Sequence, residues 1–511
     1  MSNTWNEGYC TDTAYTYGYY REISPVFQRF CLLIRGIDAP HSADAAHCEL
    51  GFGQGVSVNI HAASNPGRYI ATDFNPEHAT NARNLAAASG NNAELFDNSF
   101  EELLNRKDLP QFDSISLHGI WTWVSRDNHK VIAEFARRHL KPGGVFYNSY
   151  NCFPGWAPAH PLRQLFALHD RYAAKPEGTT KRVDAALSFT ENLLAANPIY
   201  AETVPSIISR LQKIKGQDRH YLAHEYFNRE WNCMYFTDVV DALTPAKLEY
   251  ATSANPLDTI DGLNLKPEGI AFLASIDNPI LREQARDYFI NQQFRKDIYM
   301  RGAPRLRPVE KRERLLNTRF VLLQNASQVP KKTNCVIGKV TLQETIYQPI
   351  IQALASHGHG PKSLKYLITI LPEISYEEAL QSMIVLTALG AVAPCQDDDI
   401  VKQVSKQCKD LNLHLCEQSQ FGTAIGHLAS PLTGAGIAIN RIDQLFLLAR
   451  LRNHADPASF VWATLQAAGE ALMLNGEKVY GTEANIAEIN LHFKNFSEKV
   501  LPVLKTVGIA Q

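Results

Sequence analysis

The stretch CELGFGQGVS, Cys48–Ser57, decides the fold of this chain. An apolar, strand-like HCEL enters three glycines separated by single residues, Gly51, Gly53 and Gly55, and VSVNIHAAS continues with helical character. Such a turn aims backbone N–H groups and a helix N-terminus at a ligand, and the missing Cβ atoms allow close approach. The same alternation repeats downstream. RYIATDF reads as a second strand, and PEHATNARNLAAAS as a helix with proline in its first turn. AELFD is a short strand, SFEELLN a helix capped by Ser99 with Glu102 three residues on, and FDSISLHGI a fourth strand. NHKVIAEFARRHL is an amphipathic helix ended by KPGG, and VFYNSYN is a fifth strand. Strands separated by helical patterns predict a mostly parallel sheet with helices on both faces, an α/β Rossmann-like core.

At 511 residues the chain exceeds what one hydrophobic core supports, so about two to four domains are expected. Hydrophobic residues make up 45% and charged residues 20%, a globular rather than a disordered balance. A net charge of -2 gives no broad attraction to nucleic acid or to an anionic membrane. The nine cysteines are scattered, with no CxxC pair and no Cys/His cluster of zinc spacing, and read as reduced thiols. The opening MSNTWNEGYC, which includes Cys10, lacks the basic start and apolar run of a signal peptide, and no stretch has membrane-spanning length. A cytoplasmic protein is expected.

Ahead of the glycine loop, AYTYGYYREISP gathers Tyr15, Tyr17, Tyr19 and Tyr20 before Pro25, where the helix PVFQRFCLLIRG begins. These tyrosines read either as a packed lid or as phenol rings closing over a site. Residues 161–314 read as mainly helical, with LREQARDYFINQQFRKDIYM as one helix, LEYATSA as a strand and GAPRLRPVEKRERLLN as a linker. From 315 to 511, FVLLQN and GKVTL precede helices in a winged-helix-like order, and the remainder is mostly helical. The expected division is a core with aromatic lid (1–160), a middle domain (161–314), and a winged-helix-like and helical C-terminal domain (315–511).

The details of the loop narrow its ligand. The nicotinamide dinucleotide fingerprint needs its third glycine where Val56 stands. A leading Glu49 repels a pyrophosphate and suits a ligand carrying an ammonium group. ELGFGQG resembles the first motif of class I S-adenosylmethionine-dependent methyltransferases. The resemblance implies that Asp73, ending IATDF, accepts hydrogen bonds from both ribose hydroxyls, a task suited to a carboxylate with two oxygens. It also implies that Asn98 and Ser99 lie beside the adenine, although many members of the family have an acid where Ser99 stands. LKPGG, Leu140–Gly144, matches the turn before the fifth strand. The implied S-adenosyl-L-methionine site comprises Glu49, Gly51, Gly53, Gly55, Asp73, Phe74, Asn98, Ser99 and His118. HGIWTWVS, YNSYNCFPGW, the N-terminal YGYYREISP and HEYFNREWNCMYFTDV further resemble bacterial methyltransferases that carry a methyltransferase regulatory domain. That group includes lysine methyltransferases acting on rickettsial outer-membrane protein.

Methyl transfer from a sulfonium needs an unprotonated acceptor aligned behind the methyl carbon and shielded from water. A lysine amine, with a reference pKa of about 10.4, loses its proton more readily in a desolvating aromatic pocket. Ligands of such sheets sit at the carboxyl ends of strands, which places His118, Trp121, Trp123, Tyr150 and Asn151 near the donor. The expected catalytic set is His118, Trp121, Tyr150, Tyr17 and Tyr19, with His118 as a base, a hydrogen-bond partner or a strand-end residue satisfied by backbone. No metal is expected. HEYFN has Asn228 where a zinc-protease helix needs a second histidine, and ASHGHG lacks acidic or cysteine partners. The expected acceptor is a protein side chain, a lysine amine, with a small molecule or cell-surface component as the alternative, and a homodimer is an expected partner state. Nucleic acid is not an expected partner, because the recognition-helix position of the winged-helix-like segment carries Glu377 and Glu378.

Overall fold

The computed structural model describes residues 16–175, 177–474 and 477–510. The readings that involve Cys10 and Tyr15 lie outside the described residues. A seven-stranded sheet forms the centre. Its strands are β1 (Ala46–Leu50), β2 (Arg68–Thr72), β3 (Glu94–Phe96), β4 (Phe112–Leu117), β5 (Leu140–Asn151), β6 (Glu249–Ser253) and β7 (Phe294–Met300), in the order β3-β2-β1-β4-β5-β7-β6. The first five run parallel; β7 is antiparallel to β5, and β6 to β7. Strand order reverses between β1 and β4, and the crevice at such a switch point is where doubly wound sheets bind ligands. The glycine loop opens into that crevice because it follows β1.

Helices α1 (Pro25–Ile34), α2 (Val56–Ser64), α3 (Pro76–Ser89), α4 (Phe100–Asn105) and α5 (Arg126–His139) cover the sheet. Local signals set their starts: Asn75 caps α3, Ser99 and Glu102 form a capping box on α4, and Ser125 caps α5. Every residue of α2 is buried. The helix Asp398–Gln418 lies against α2, with the Cys408 thiol 3.2 Å from the Ala63 carbonyl, and Val56, Ile60 and Ala63 belong to the core of the C-terminal segment. This explains why VSVNIHAAS has no polar face.

Two readings of the middle segment change. LREQARDYFINQQFRKDIYM is not one helix: the helix Pro279–Ile290 ends at Asn291 in the left-handed conformation (φ 49°), and β7 follows. The segment read as a linker contains the helix Pro308–Asn317. Because β6 and β7 complete the core sheet, that sheet extends beyond residue 160. The helices between His160 and Tyr226 form a separate cluster around Leu162, Phe166, Leu187 and Trp231. Beyond it, the strands Lys362–Ser363, Arg319–Leu322 and Val392–Pro394 make a small antiparallel sheet. The helices Glu344–Ala355, Leu364–Ile370 and Tyr376–Ala388 pack on it.

Candidate active site

The loop after β1 is held by three backbone donors. Gly51 N–H donates to the Thr72 carbonyl (2.7 Å), Gly53 N–H to Asp73 Oδ2 (2.8 Å) and Gly55 N–H to the Phe52 carbonyl (3.0 Å). Gly51 has φ +76°, and a Cβ there would lie 2.3 Å from Ile120 Cδ1. Gly55 has φ +78°, and a Cβ there would lie 2.3 Å from Ala82 Cβ on α3. Both positions therefore require glycine. Glu49, Gly51, Gly53, Asp73, Phe74, Asn98, Ser99 and His118 line one cavity, together with His78 and Trp123. Gly55 is not part of its lining and acts as the N-cap of α2.

This cavity is anionic. Glu49 is only 9% exposed, and burial, followed by the nearby Asp73 charge, raises its carboxyl from 4.5 to about 8. Asp73 Oδ1 accepts from Asn75 N–H and lies 3.1 Å from His78 Nδ1. Asp73 Oδ2, which accepts from Gly53 N–H, has a second lone pair for a ligand donor. Among the described residues Asn98 Oδ1 and Trp123 Nε1 are buried with no partner, and such groups cost free energy until something bonds them. The Ser99 hydroxyl accepts from Glu102 N–H, so its first duty is the helix cap. A buried pair of carboxylates flanked by unpartnered polar atoms fits a cationic donor that also carries ribose hydroxyls and a purine.

At the carboxyl end of β4, His118 Nδ1 lies 2.8 Å from the Tyr147 hydroxyl, and the imidazole stacks on Tyr20 with centroids 3.8 Å apart. Burial lowers the His118 pKa to about 3, so its ring is neutral at neutral pH and too weak a base to take a proton from an ammonium. The structure places four other expected catalytic residues away from the cavity lining. Trp121 is buried in the sheet core and stacks on His129 (4.2 Å). In the 3-10 turn Trp121–Trp123 residues two apart sit about 120° from one another around the axis, and Trp123 meets the cavity instead. Tyr150 is fully buried and donates to Asp297 Oδ2 (2.7 Å), beneath β7. Tyr19 is half-buried against the C-terminal hairpin, where its hydroxyl accepts from Gly436 N–H (2.6 Å), and Tyr17 is 39% exposed. The physical reason is the extended backbone of this strap: Thr16, Gly18 and Tyr20 alternate onto the cavity, while residues 17 and 19 point away. Asn151 is buried at the end of β5 and does not line the cavity.

Sequence reading missed His78, Asn128, Asn228 and Glu230 in the lining. His78 had a usable signal, its position in the first turn of a helix that starts just after the strand-end Asp73. Asn228 and Glu230 lie in HEYFNREWNCMYFTDV, whose resemblance marked the stretch without placing it at the site, because a long helical insertion separates it from β5.

The switch-point crevice, the glycine loop and the strand-end carboxylate define a class I S-adenosylmethionine-dependent methyltransferase. Residues 48–144 match the family described as methyltransferase domain, and residues 218–301 the family described as predicted methyltransferase regulatory domain. An uncharacterized protein of Synechocystis sp. is 38% identical over 99% of this chain and 100% of its own length. The chain belongs to that family, methyltransferases that carry a regulatory domain. An uncharacterized protein of Rickettsia prowazekii is 26% identical over 52% of this chain and 47% of its own length. The structure of PKMT2 from Rickettsia typhi in complex with AdoHcy shares the fold, with a TM-score of 0.69 at 17% identity, covering 94% of this chain and 98% of that one.

Proposed function

We propose that the protein methylates a side-chain amine of another protein, a lysine, using S-adenosylmethionine. The observation that carries the reading is the stack of Tyr20 on a neutral His118 at the carboxyl end of β4, beside the donor cavity. When bound, S-adenosylmethionine supplies an electrophilic methyl carbon whose bond to sulfur breaks as the acceptor bond forms, leaving S-adenosylhomocysteine. Glu49 holds the donor's ammonium, Asp73 its ribose hydroxyls, and Asn98 with Ser99 border its base. Tyr20, Trp123 and His118 exclude water from the acceptor. Because His118 stays neutral, it adds no positive charge against the sulfonium, and the ammonium of the acceptor loses its proton to solvent as it is desolvated. The fold shared with PKMT2, a protein lysine methyltransferase, supports the choice of acceptor.

No helix among the described residues is long and apolar enough to cross a membrane. We place the protein in the cytoplasm, with residues 315–511 as a protein-contact unit and a homodimer as its assembly. The test is incubation with methyl-labelled S-adenosylmethionine and whole-cell lysate, separated into protein and small-molecule fractions. Label is expected in protein; label confined to the small molecules overturns the acceptor.

A further inference from the structure

A second cavity lies on the other side of Tyr20. Its walls come from the strap Tyr19–Glu22, from Lys296 on β7, and from the C-terminal segment, including His427, Ala438 and Lys499. Tyr20 lines both cavities, and its ring stacks on His118. The strap is fixed on three sides. Tyr19 takes the Gly436 N–H, Arg21 donates to the Thr387 and Ala388 carbonyls (2.8 and 2.7 Å), and Glu22 pairs with Lys296 (2.6 Å). Four consecutive residues thus join the C-terminal hairpin, the reaction centre, the small antiparallel sheet's helices and the regulatory segment.

Methyl transfer requires the acceptor to approach the methyl carbon from the side opposite the sulfur. A donor held by Glu49 and Asp73 occupies the first cavity, and the acceptor comes to the methyl group from its far side. We propose that its route is this second cavity: a lysine side chain of the protein substrate reaches the methyl group along the strap, with Tyr20 as the ring it meets and the C-terminal segment as the outer wall. The inference rests on the proposed protein acceptor. The chemistry of the wall suits an amine. The Lys296 ammonium is paired with Glu22, so that part of the wall carries no net charge and does not repel an incoming lysine. The proposal gives the C-terminal segment a task that packing on α2 alone does not explain.

Ala438→Trp tests the route by filling the cavity from an exposed position on the hairpin strand Ala435–Ala438, away from the donor residues. Desalted lysate protein is titrated as acceptor with labelled S-adenosylmethionine, and donor affinity is measured separately by calorimetry. The half-saturating acceptor concentration is expected to rise about tenfold or more while donor affinity stays within about twofold. Unchanged acceptor saturation overturns the route. If the plug also weakens donor binding, Lys499→Glu on the helical turn Phe496–Val500 puts a carboxylate in the wall and is expected to lower the half-saturating acceptor concentration about threefold, and no shift there overturns the route. If the unsubstituted protein labels only small molecules, the protein acceptor is refuted, and the effect of the plug on that fraction still decides the route.

Discussion

Glu49→Gln isolates the electrostatics of the donor cavity. In the ligand-free protein the Glu49 carboxyl stands at about 8, so it is mostly protonated at pH 7. A donor ammonium is held best by a carboxylate, so binding must ionise Glu49, at a cost that grows tenfold per pH unit below that value. The ionised fraction falls from about a half at pH 8 to about one hundredth at pH 6, so the donor Kd is expected to rise about 50-fold across that interval. The donor's own amino group, with a reference pKa of about 7.7–8.0, gains its proton over the same interval and offsets about two- to threefold of that rise, leaving about twentyfold in the unsubstituted protein. Calorimetric titration of both proteins with S-adenosylmethionine at pH 6, 7 and 8 measures the difference. The Gln variant should bind more weakly at pH 8 and lose the 50-fold term. The same shift has a stability consequence. A carboxyl raised in the folded state binds its proton there more tightly than in the unfolded chain. Stability is therefore lost as pH rises from about 4.5 to about 8, on the order of 5 kcal/mol for a fully buried group. Glu49→Gln should accordingly melt at a higher temperature than the unsubstituted protein at pH 8, with the gap closing toward pH 4.5. A donor Kd flat between pH 6 and 8 in the unsubstituted protein, or an equal slope in the variant, would refute the reasoning.

Tyr20→Ala should lower kcat by about ten- to a hundredfold while leaving donor Kd within about threefold, whereas Tyr19→Phe should cost about 1–3 kcal/mol of stability through the orphaned Gly436 N–H and leave kcat nearly intact. Steady-state kinetics beside thermal melting separates the two. His118→Asn should change kcat without altering the pH–rate profile between pH 5 and 8, because a histidine held near 3 contributes no ionisation there; a lost limb in that profile would show that His118 is the base. Gly55→Ala should destabilise the protein by about 1–3 kcal/mol and weaken donor binding, since its Cβ meets Ala82, and an unchanged melting temperature would contradict the loop geometry.

The parallel half of the sheet was legible because its signals are local. Short runs between helical patterns mark β1 and β4, and Pro76, the Ser99–Glu102 box and Ser125 mark helix starts close to the strand ends. β7 was not legible. FRKDIYM carries three charges in a row, and its buried Arg295 is met by Asp297 on the same strand and by Glu283 and Asp287 on the helix just before it. Such pairing crosses from helix to strand and leaves no single period in the sequence. In the site, the carboxylates Glu49 and Asp73 were readable because they end strands. The aromatics were not, since Trp121 against Trp123, and Tyr19 against Tyr20, are decided by which way a step of one or two residues turns the side chain. An extended strap read in register would have selected Tyr20.

The most direct measurement is amino-acid analysis of protein labelled by this chain with methyl-tritiated S-adenosylmethionine. Methyllysine is the expected labelled product, formed with S-adenosylhomocysteine and lost in Asp73→Ala, whose missing carboxylate removes charge-assisted hydrogen bonds of about 1.5–3 kcal/mol each. Label on another residue, or methyllysine formed equally well by Asp73→Ala, would contradict it.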